Sequence, residues 1–248
     1  FRSHLEDSMW RAVWDAVFGV ASTLAPVLFG AAFGNLIRGV PLTAEGWFSL
    51  SLFETLSPYG PLGTLDWFTV LAGVLALVVI AHHGALFLVW KTDGPVHARS
   101  QQVAGVLFPA VIGLWGIATV ATMAVAPDVF AAWRARPLAW LFTAVFVLAL
   151  LATAPLRRRG RALAAFLASS AFIAGALAAT AVSVFPALLR AAPGTGPSLT
   201  AFTASASDGA LRSALWWWPA GAVLAAVYFT MLFRLHRGKA TVDDRTGY

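Results

Sequence analysis

Residues 67–90 read WFTVLAGVLALVVIAHHGALFLVW, and this stretch decides the fold. It carries no Asp, Glu, Lys or Arg along its whole length. A helix needs about 20 apolar residues to cross the hydrocarbon core of a bilayer, which is roughly 30 Å thick. Five more apolar runs of this kind occur along the chain, at about 16–37, 103–126, 138–154, 162–189 and 214–235. The run 138–154 is the shortest of the six.

The overall composition agrees with a chain that lies in a membrane. Hydrophobic residues make up 59% of the sequence and charged residues 11%. Backbone groups in hydrocarbon must form their hydrogen bonds internally, so each run is predicted to be a helix. The strict alternation typical of barrel strands does not occur in these runs. We therefore predict an all-α fold, a polytopic transmembrane bundle of six helices that forms a single integral membrane domain over residues 1–248.

The basic residues divide unevenly between the two sides of this predicted bundle. Twelve fall on one side: Arg2, Arg11, Lys91, Arg99, Arg157, Arg158, Arg159, Arg161, Arg234, Arg237, Lys239 and Arg245. Five fall on the other side: Arg38, Arg134, Arg136, Arg190 and Arg212. Cytoplasmic loops are enriched in Lys and Arg, so the first side and both ends of this sequence are predicted to be cytoplasmic. The net charge of +6 is thus a topology signal and not a nucleic-acid patch.

Two histidines lie deep in the second run. His82 and His83 precede Trp90 by eight and seven residues, about 10–12 Å at 1.5 Å per residue. Successive residues point about 100° apart on a helix, so the two rings are expected to face different neighbours. Three roles stay open for them: a contact to a proton path or a quinone, an axial ligand of haem, and a structural hydrogen bond to a neighbouring helix.

The borders of the runs carry further signals. Asp66 directly precedes the second run and is predicted to be its N-cap. The chain has no cysteine, which excludes disulfides and thiolate metal sites within it. It opens FRSHLED, with neither an initiator Met nor a signal-peptide pattern, so we expect a longer protein that extends further at the N-terminus.

Several short strings, in order along almost the whole chain, resemble subunit II of the cytochrome bd-type quinol oxidases. Near the start are residues 1–7, Trp10-Arg11 and Trp14-Asp15. FGNLIRGVPL at 33–42 contains Asn35 and Arg38. Around the second run are LDW at 65–67, HGA at 83–85, Lys91-Thr92, Gly94 and Arg99. Toward the end are Phe185-Pro186, SLT at 198–200, Ala204-Ser205 and the tail 228–236.

The resemblance implies the fold and the activity. The family has nine helices, arranged as two four-helix bundles plus one peripheral helix, so this chain corresponds to its C-terminal two-thirds. The family oxidises ubiquinol or menaquinol and reduces O2 to water with protons from the cytoplasm. Subunit II is a haem-free partner, and haems b and d lie in subunit I. The resemblance therefore implies an oxidoreductase subunit that is not catalytic by itself, placed in the inner membrane of a bacterium.

The resemblance assigns no catalytic, cofactor-binding or metal-ligating residue to this chain. It leaves His83 and His82 as candidate contacts, and it gives topological or structural roles to Asp66, Asn35, Arg38, Lys91 and Arg99. The implied partners are subunit I, membrane lipid and quinone, with a small accessory subunit left open and no nucleic acid. The family usually has Asn where Thr203 stands, so a hydrogen bond of that amide needs a substitute here. The alternative function is a permease or a channel-like subunit.

Overall fold

A computed structural model describes residues 8–48 and 50–240. The string at 1–7, Arg2 and Arg245 lie outside these residues. The described part consists of seven helices and one short hairpin. In chain order they are α1 (Ser8–Arg38), α2 (Trp67–Lys91), α3 (Gly94–Val125), α4 (Pro127–Ala135), α5 (Pro137–Arg158), α6 (Ala162–Val184), β1 (Ala187–Leu189), β2 (Leu199–Thr200) and α7 (Asp208–Leu235).

Six of these helices are long and apolar enough to cross a bilayer, as the sequence predicts: α1, α2, α3, α5, α6 and α7. We call the side that carries the α2–α3 and α5–α6 connections the basic face. The side that carries the connections 39–66, 126–136 and 185–207 is the loop face. The all-α membrane fold is therefore confirmed in the described part of the chain.

Several predicted boundaries are wrong, for identifiable physical reasons. The run 162–189 predicts a helix to Leu189, but α6 ends at Val184 because Pro186 has no N–H for the helical pattern, and 187–189 form β1 instead. The helices α1, α3, α5 and α7 extend past the predicted limits 16, 103, 154 and 214. Hydropathy marks where a helix leaves hydrocarbon, and these helices continue into polar surroundings.

The helix α4 is an element that the sequence did not predict. It has nine residues and follows α3 after Ala126 alone, with Pro127 at its first position, where a missing N–H has no cost. Val129 is buried against Ala126 and Val184, close to the end of α6. The helix lies on the loop face and closes that end of the bundle.

The helices α2, α3, α5 and α6 pack as a four-helix bundle, and α1 and α7 lie outside it. The strongest packing joins α5 with α6, α2 with α3, and α1 with α2, and α2 also contacts α6. The interior of the bundle has an alanine-rich layer near the basic face and a layer of larger aliphatic and aromatic residues further in. The first contains Ala85, Leu86, Ala104 and Ala165. The second contains Val111, Phe146, Leu150 and Phe172.

Glycines permit the closest helix contacts. A Cβ at Gly30 of α1 would lie 2.6 Å from the carbonyl oxygen of Ala72, and one at Gly73 of α2 would lie 2.7 Å from that of Val27. A Cβ at Gly175 of α6 would lie 2.9 Å from the backbone nitrogen of Phe146. Because lipid removes the hydrophobic drive for helix association, such close backbone approach supplies much of the attraction.

The helix α7 differs from the others because it has no buried residue. Its contacts lie at its last turn and just beyond. Phe233 stacks on Trp90 with ring centroids 6.2 Å apart, and Lys91 Nζ donates to the carbonyl oxygens of His236 and Gly238 at 2.8 and 3.1 Å. An ion pair between Lys239 and Asp93 lies beside them at 2.6 Å. The helix α7 is therefore attached to the bundle near its C-terminal end, on the basic face.

The contact between α1 and α2 gives a direct test. Gly30→Val would make side-chain carbon atoms overlap with the backbone of α2, and overpacking of this kind costs about 1–3 kcal/mol. We expect a lower thermal unfolding midpoint for the detergent-solubilised protein. Gly84→Val is the control, because no atom lies within 4 Å of a Cβ at Gly84. Equal midpoints for the two variants would contradict the close packing at Gly30.

Candidate functional site

A buried polar network lies where α1 ends and α2 begins, on the loop face. Arg38 forms an ion pair with Asp66 and donates to the side-chain oxygen of Asn35. It also donates to the carbonyl oxygen of Gly63 at 3.1 Å. The side chains of Arg38 and Asp66 are 6% and 5% exposed. The structure thus brings together three residues for which the sequence predicts structural roles.

Asp66 uses its two carboxylate oxygens for different purposes. Oδ1 accepts from the backbone N–H groups of Phe68 and Thr69, both at 3.1 Å, and Oδ2 pairs with Arg38. The hydroxyl of Thr69 accepts from the N–H of Asp66 at 2.8 Å, which completes a capping box. The predicted N-cap is confirmed. The same carboxylate therefore begins α2 and ties α1 to it.

Asn35 extends this network to the connecting segment. Its amide donates to the carbonyl oxygen of Thr64 at 2.8 Å and to that of Ala31 at 3.1 Å. Gly39 follows in the left-handed region, with φ 95°, and a Cβ there would lie 2.8 Å from the carbonyl oxygen of Ala191. The motif at 33–42 thus turns the chain out of α1 and holds both long loops against it.

The remaining predicted structural residues lie on the basic face. Lys91 ends α2, lies 4.8 Å from the ring centroid of Trp90 and binds the segment after α7. Arg99 is exposed on the first part of α3. These positions separate Lys91 and Arg99 from the network of Asn35, Arg38 and Asp66, which lies at the opposite end of the bundle.

His83 faces α6. Its Nδ1 lies 2.7 Å from Oγ of Ser169, whose hydroxyl also contacts the carbonyl oxygen of Phe166 at 2.7 Å. The ring stacks on Phe166 with centroids 4.7 Å apart, and Phe166 in turn stacks on Trp90. This arrangement is a hydrogen bond between neighbouring helices, which is one of the three roles that the sequence leaves open for the histidine pair.

His82 faces a different helix, as the helical geometry predicts. Its ring is 5.9 Å from that of Phe108 on α3, and the residue is only 3% exposed. The Nε2 atom has no hydrogen-bond partner among the residues that the structure describes. A buried polar atom without a partner costs roughly 1–3 kcal/mol, so His82 is the less satisfied of the two histidines in the described part of the chain.

Several arginines have partners that no local pattern in the sequence reveals. Arg136 donates to the carbonyl oxygens of Val182, Ser183 and Phe185, where α6 ends. Arg190 binds Asp128 of α4 and the carbonyl oxygen of Ile37. All these partners lie more than 40 residues away in sequence, so only the fold brings them together.

Thr203, which stands where the family usually has Asn, lies in a turn. The hydroxyl of Thr203 accepts from the N–H of Thr200 at 3.1 Å, and the N–H of Thr203 donates to the Thr200 hydroxyl at 3.1 Å. A threonine hydroxyl therefore supplies a side-chain hydrogen bond in this turn. Among residues 8–48 and 50–240 there is no group of three or more His, Asp or Glu residues that could hold a metal ion.

Comparison with known proteins gives consistent matches. A family model described as cytochrome bd terminal oxidase subunit II matches residues 1–236. Cytochrome bd-I ubiquinol oxidase subunit 2 of Escherichia coli strain K12 is 28% identical, over 87% of this chain and 62% of its own length. Cytochrome bd ubiquinol oxidase subunit 2 of Bacillus subtilis strain 168 is 27% identical, over 86% of this chain and 59% of its own length. The chain thus spans about three-fifths of these relatives.

A solved structure shows the same fold. A chain from the structure of bd oxidase from Geobacillus thermodenitrificans superimposes with a TM-score of 0.67 at 19% identity. The match covers 94% of this chain and 67% of that chain. The arrangement of helices described above is therefore a known one.

The contribution of the Arg38–Asp66 ion pair to stability can be tested by removing its charges at nearly constant side-chain size. Asp66→Asn keeps a capping oxygen but leaves Arg38 as an unpaired buried charge, so we expect a loss of about 3–5 kcal/mol of unfolding free energy. The double variant Arg38→Gln with Asp66→Asn removes both charges and should recover much of this loss. Unfolding in mixed detergent measures both variants.

The outer ion pair Arg190–Asp128 provides the control, because its carboxylate is 67% exposed. Asp128→Asn should change stability by at most about 1 kcal/mol. If Asp66→Asn were equally mild, or if the double variant were as unstable as the single one, the Arg38–Asp66 pair would not hold α1 to α2.

Proposed function

This chain belongs to the cytochrome bd terminal oxidase subunit II family, and we propose that it serves as the partner subunit of a membrane-bound quinol oxidase. The observation that carries this proposal is the family match, which extends over residues 1–236 of 248. The relatives from Escherichia coli and Bacillus subtilis are named as subunits of ubiquinol oxidases. The reaction of the complex would be oxidation of a quinol and reduction of O2 to water.

The proposal places the haems b and d in subunit I. The two deep histidines of this chain support that assignment by their surroundings. His83 is bonded to Ser169 and stacked on Phe166. His82 is packed against Phe108 and only 3% exposed. An axial ligand needs an open position beside its ring for a porphyrin, and these contacts fit that requirement poorly.

The surroundings also bear on the proton-path or quinone contact that the sequence suggests for the histidines. His82 remains our candidate for such a contact, because its Nε2 is free of partners in the described part of the chain. His83 already forms a hydrogen bond with Ser169 and stacks on Phe166, which are contacts typical of a structural residue. We therefore propose separate roles for the two neighbours: His83 joins α2 to α6, and His82 is available for a ligand.

We further propose that the basic face is cytoplasmic and that the protein is a multi-pass component of the bacterial inner membrane. The charge distribution supports this orientation. Subunit I would cover part of the apolar helix surface, and lipid would cover the rest, with quinol as the substrate of the complex. A small accessory subunit is compatible with the same arrangement.

Oxygen consumption tests the partner role. The full-length subunit co-expressed with subunit I should give a complex with haem bands and quinol-dependent oxygen uptake. The full-length subunit purified alone should have neither, because its haem partner is missing. Oxygen uptake by the isolated subunit would contradict the proposal, and so would an active subunit I preparation that lacks this chain.

Cysteine labelling tests the orientation, because residues 1–248 contain no native cysteine. Tyr59→Cys on the loop face replaces a residue that is 98% exposed and should react with an impermeant maleimide added to intact cells. Arg159→Cys on the basic face, also exposed, should react only after the membrane is opened. The opposite pattern would place the basic face outside the cytoplasm.

A further inference from the structure

The segment 52–62, in the connection between α1 and α2, exposes its large apolar side chains. Leu52, Phe53 and Leu56 are each more than half exposed, and Leu62 is more than a third exposed. We call these four the apolar loop residues. Tyr59, which lies among them in sequence, is almost fully exposed. Water disfavours apolar surface, so a group of such side chains on one exposed segment indicates a contact with a partner or a membrane.

The base of this segment lies at the membrane border. The N–H of Leu65 donates to the carbonyl oxygen of Leu52 at 2.8 Å, and Phe53 forms an isolated β-bridge with Leu65. Leu65 precedes Trp67, where the membrane-spanning helix α2 begins, by two residues, so their Cα atoms are at most about 7 Å apart. Leu52 and Phe53 therefore lie at the height at which α2 enters the bilayer.

The end of α1 fixes this base in place. Asn35 donates to the carbonyl oxygen of Thr64 at 2.8 Å, and Arg38 donates to that of Gly63 at 3.1 Å. Both donor residues are buried. The segment 63–65 is therefore bonded to the bundle, and the apolar loop residues that pair with it stay beside the helix ends.

The tip of the segment needs few hydrogen bonds from water. The N–H of Ser57 donates to Oγ1 of Thr55 at 3.1 Å, and the N–H of Gly60 donates to the carbonyl oxygen of Ser57 at 3.1 Å. Pro58 and Pro61 have no N–H to satisfy. Irregular backbone is costly where water is scarce unless its polar groups have partners. The backbone of this tip is therefore suited to the edge of a bilayer.

Phospholipid is the partner whose chemistry fits this segment. Glu54 is the one charged residue of 46–63, so the segment offers no cluster of charges to a polar protein surface or to an anionic headgroup. Leucine and phenylalanine side chains suit the upper acyl chains. A tyrosine suits the headgroup layer, where its ring has apolar contacts and its hydroxyl meets water.

We propose that the segment 52–62 is a lipid anchor. The apolar loop residues enter the upper acyl region of the leaflet on the loop face, and Tyr59 lies among the headgroups of that leaflet. The anchor sets the depth of the α1–α2 end in the bilayer by apolar contact, without selecting a headgroup charge. This inference rests on the membrane-spanning fold and not on the oxidase assignment.

Spin labels test the anchor in the assembled full-length complex, held in nanodiscs of phosphatidylethanolamine and phosphatidylglycerol. The label is attached at Phe53→Cys, and the matched control is Ser205→Cys, an exposed position in the other long loop. Any cysteine elsewhere in the complex is replaced first, since residues 1–248 have none. Oxygen concentrates among acyl chains, whereas nickel ethylenediamine diacetate stays in water. The ratio of oxygen to nickel accessibility should be several-fold higher at Phe53→Cys than at Ser205→Cys, with Tyr59→Cys between them.

Two results would overturn the anchor. Nickel accessibility at Phe53→Cys equal to that at Ser205→Cys would mean that the segment faces water. Low accessibility to both reagents would mean that protein covers the segment, either subunit I or a part of this subunit outside residues 1–248. Leu56→Cys gives an independent position and should repeat the result for Phe53→Cys.

Lipid photolabelling of the unsubstituted complex gives a second measurement that needs no variant. A phospholipid with a diazirine high on one acyl chain is included in the nanodiscs, and mass spectrometry locates the adducts after illumination. Adducts should occur on 52–56 and not on 204–207. Adducts on the membrane-spanning helices without any on 52–56 would overturn the anchor. Neither measurement reports quinol oxidation, so both stand apart from the test of the proposed function.

Discussion

The ion pair of Arg38 and Asp66 is the interaction around which the loop face is built. A charge in an apolar protein environment is tolerated when it is paired and its remaining hydrogen bonds are made. Here the carboxylate also caps α2, and the guanidinium also binds Asn35 and the carbonyl oxygen of Gly63. The end of α1, the start of α2 and the segment between them are therefore fixed by one set of bonds.

From this point the packing of α1 on α2 follows. Gly30 and Gly73 allow backbone contact along the two helices, but contact between small residues does not by itself select one alignment. The ion pair at one end supplies that selection. Further along α2, the bond between His83 and Ser169 performs the corresponding task toward α6.

The sequence predicts the ends of a membrane-spanning helix well where charged residues stand at those ends. The second run was predicted at 67–90 and α2 is Trp67–Lys91, because a capping carboxylate and a lysine stand at its two ends. The prediction from sequence fails at 185–189, where apolar residues continue after α6 has ended. Pro186 interrupts the hydrogen bonding, and Arg136 binds the last carbonyl groups of α6 from 46–49 residues away. Hydropathy contains no information about such a partner.

The candidate site shows the same limit. Helical geometry predicts that His82 and His83 face different helices, and they do, toward α3 and α6. It does not predict which of the two rings finds a partner in the protein, since that depends on Ser169, 86 residues away. Arg157 could be read only as a charge on the basic side, because its hydrogen bonds to Gln101, 56 residues away, depend on the fold.

The polar groups of this bundle thus fall into two kinds with different physical roles. At the loop face the buried charges satisfy one another, so that end is closed and determines the fold. In the described part of the chain, Nε2 of His82 is buried without a hydrogen bond. Such groups do not stabilise a membrane bundle by themselves, since burying a polar atom without a partner opposes folding. This cost makes His82, and not the stronger Arg38–Asp66 network, our candidate for a functional contact in this chain.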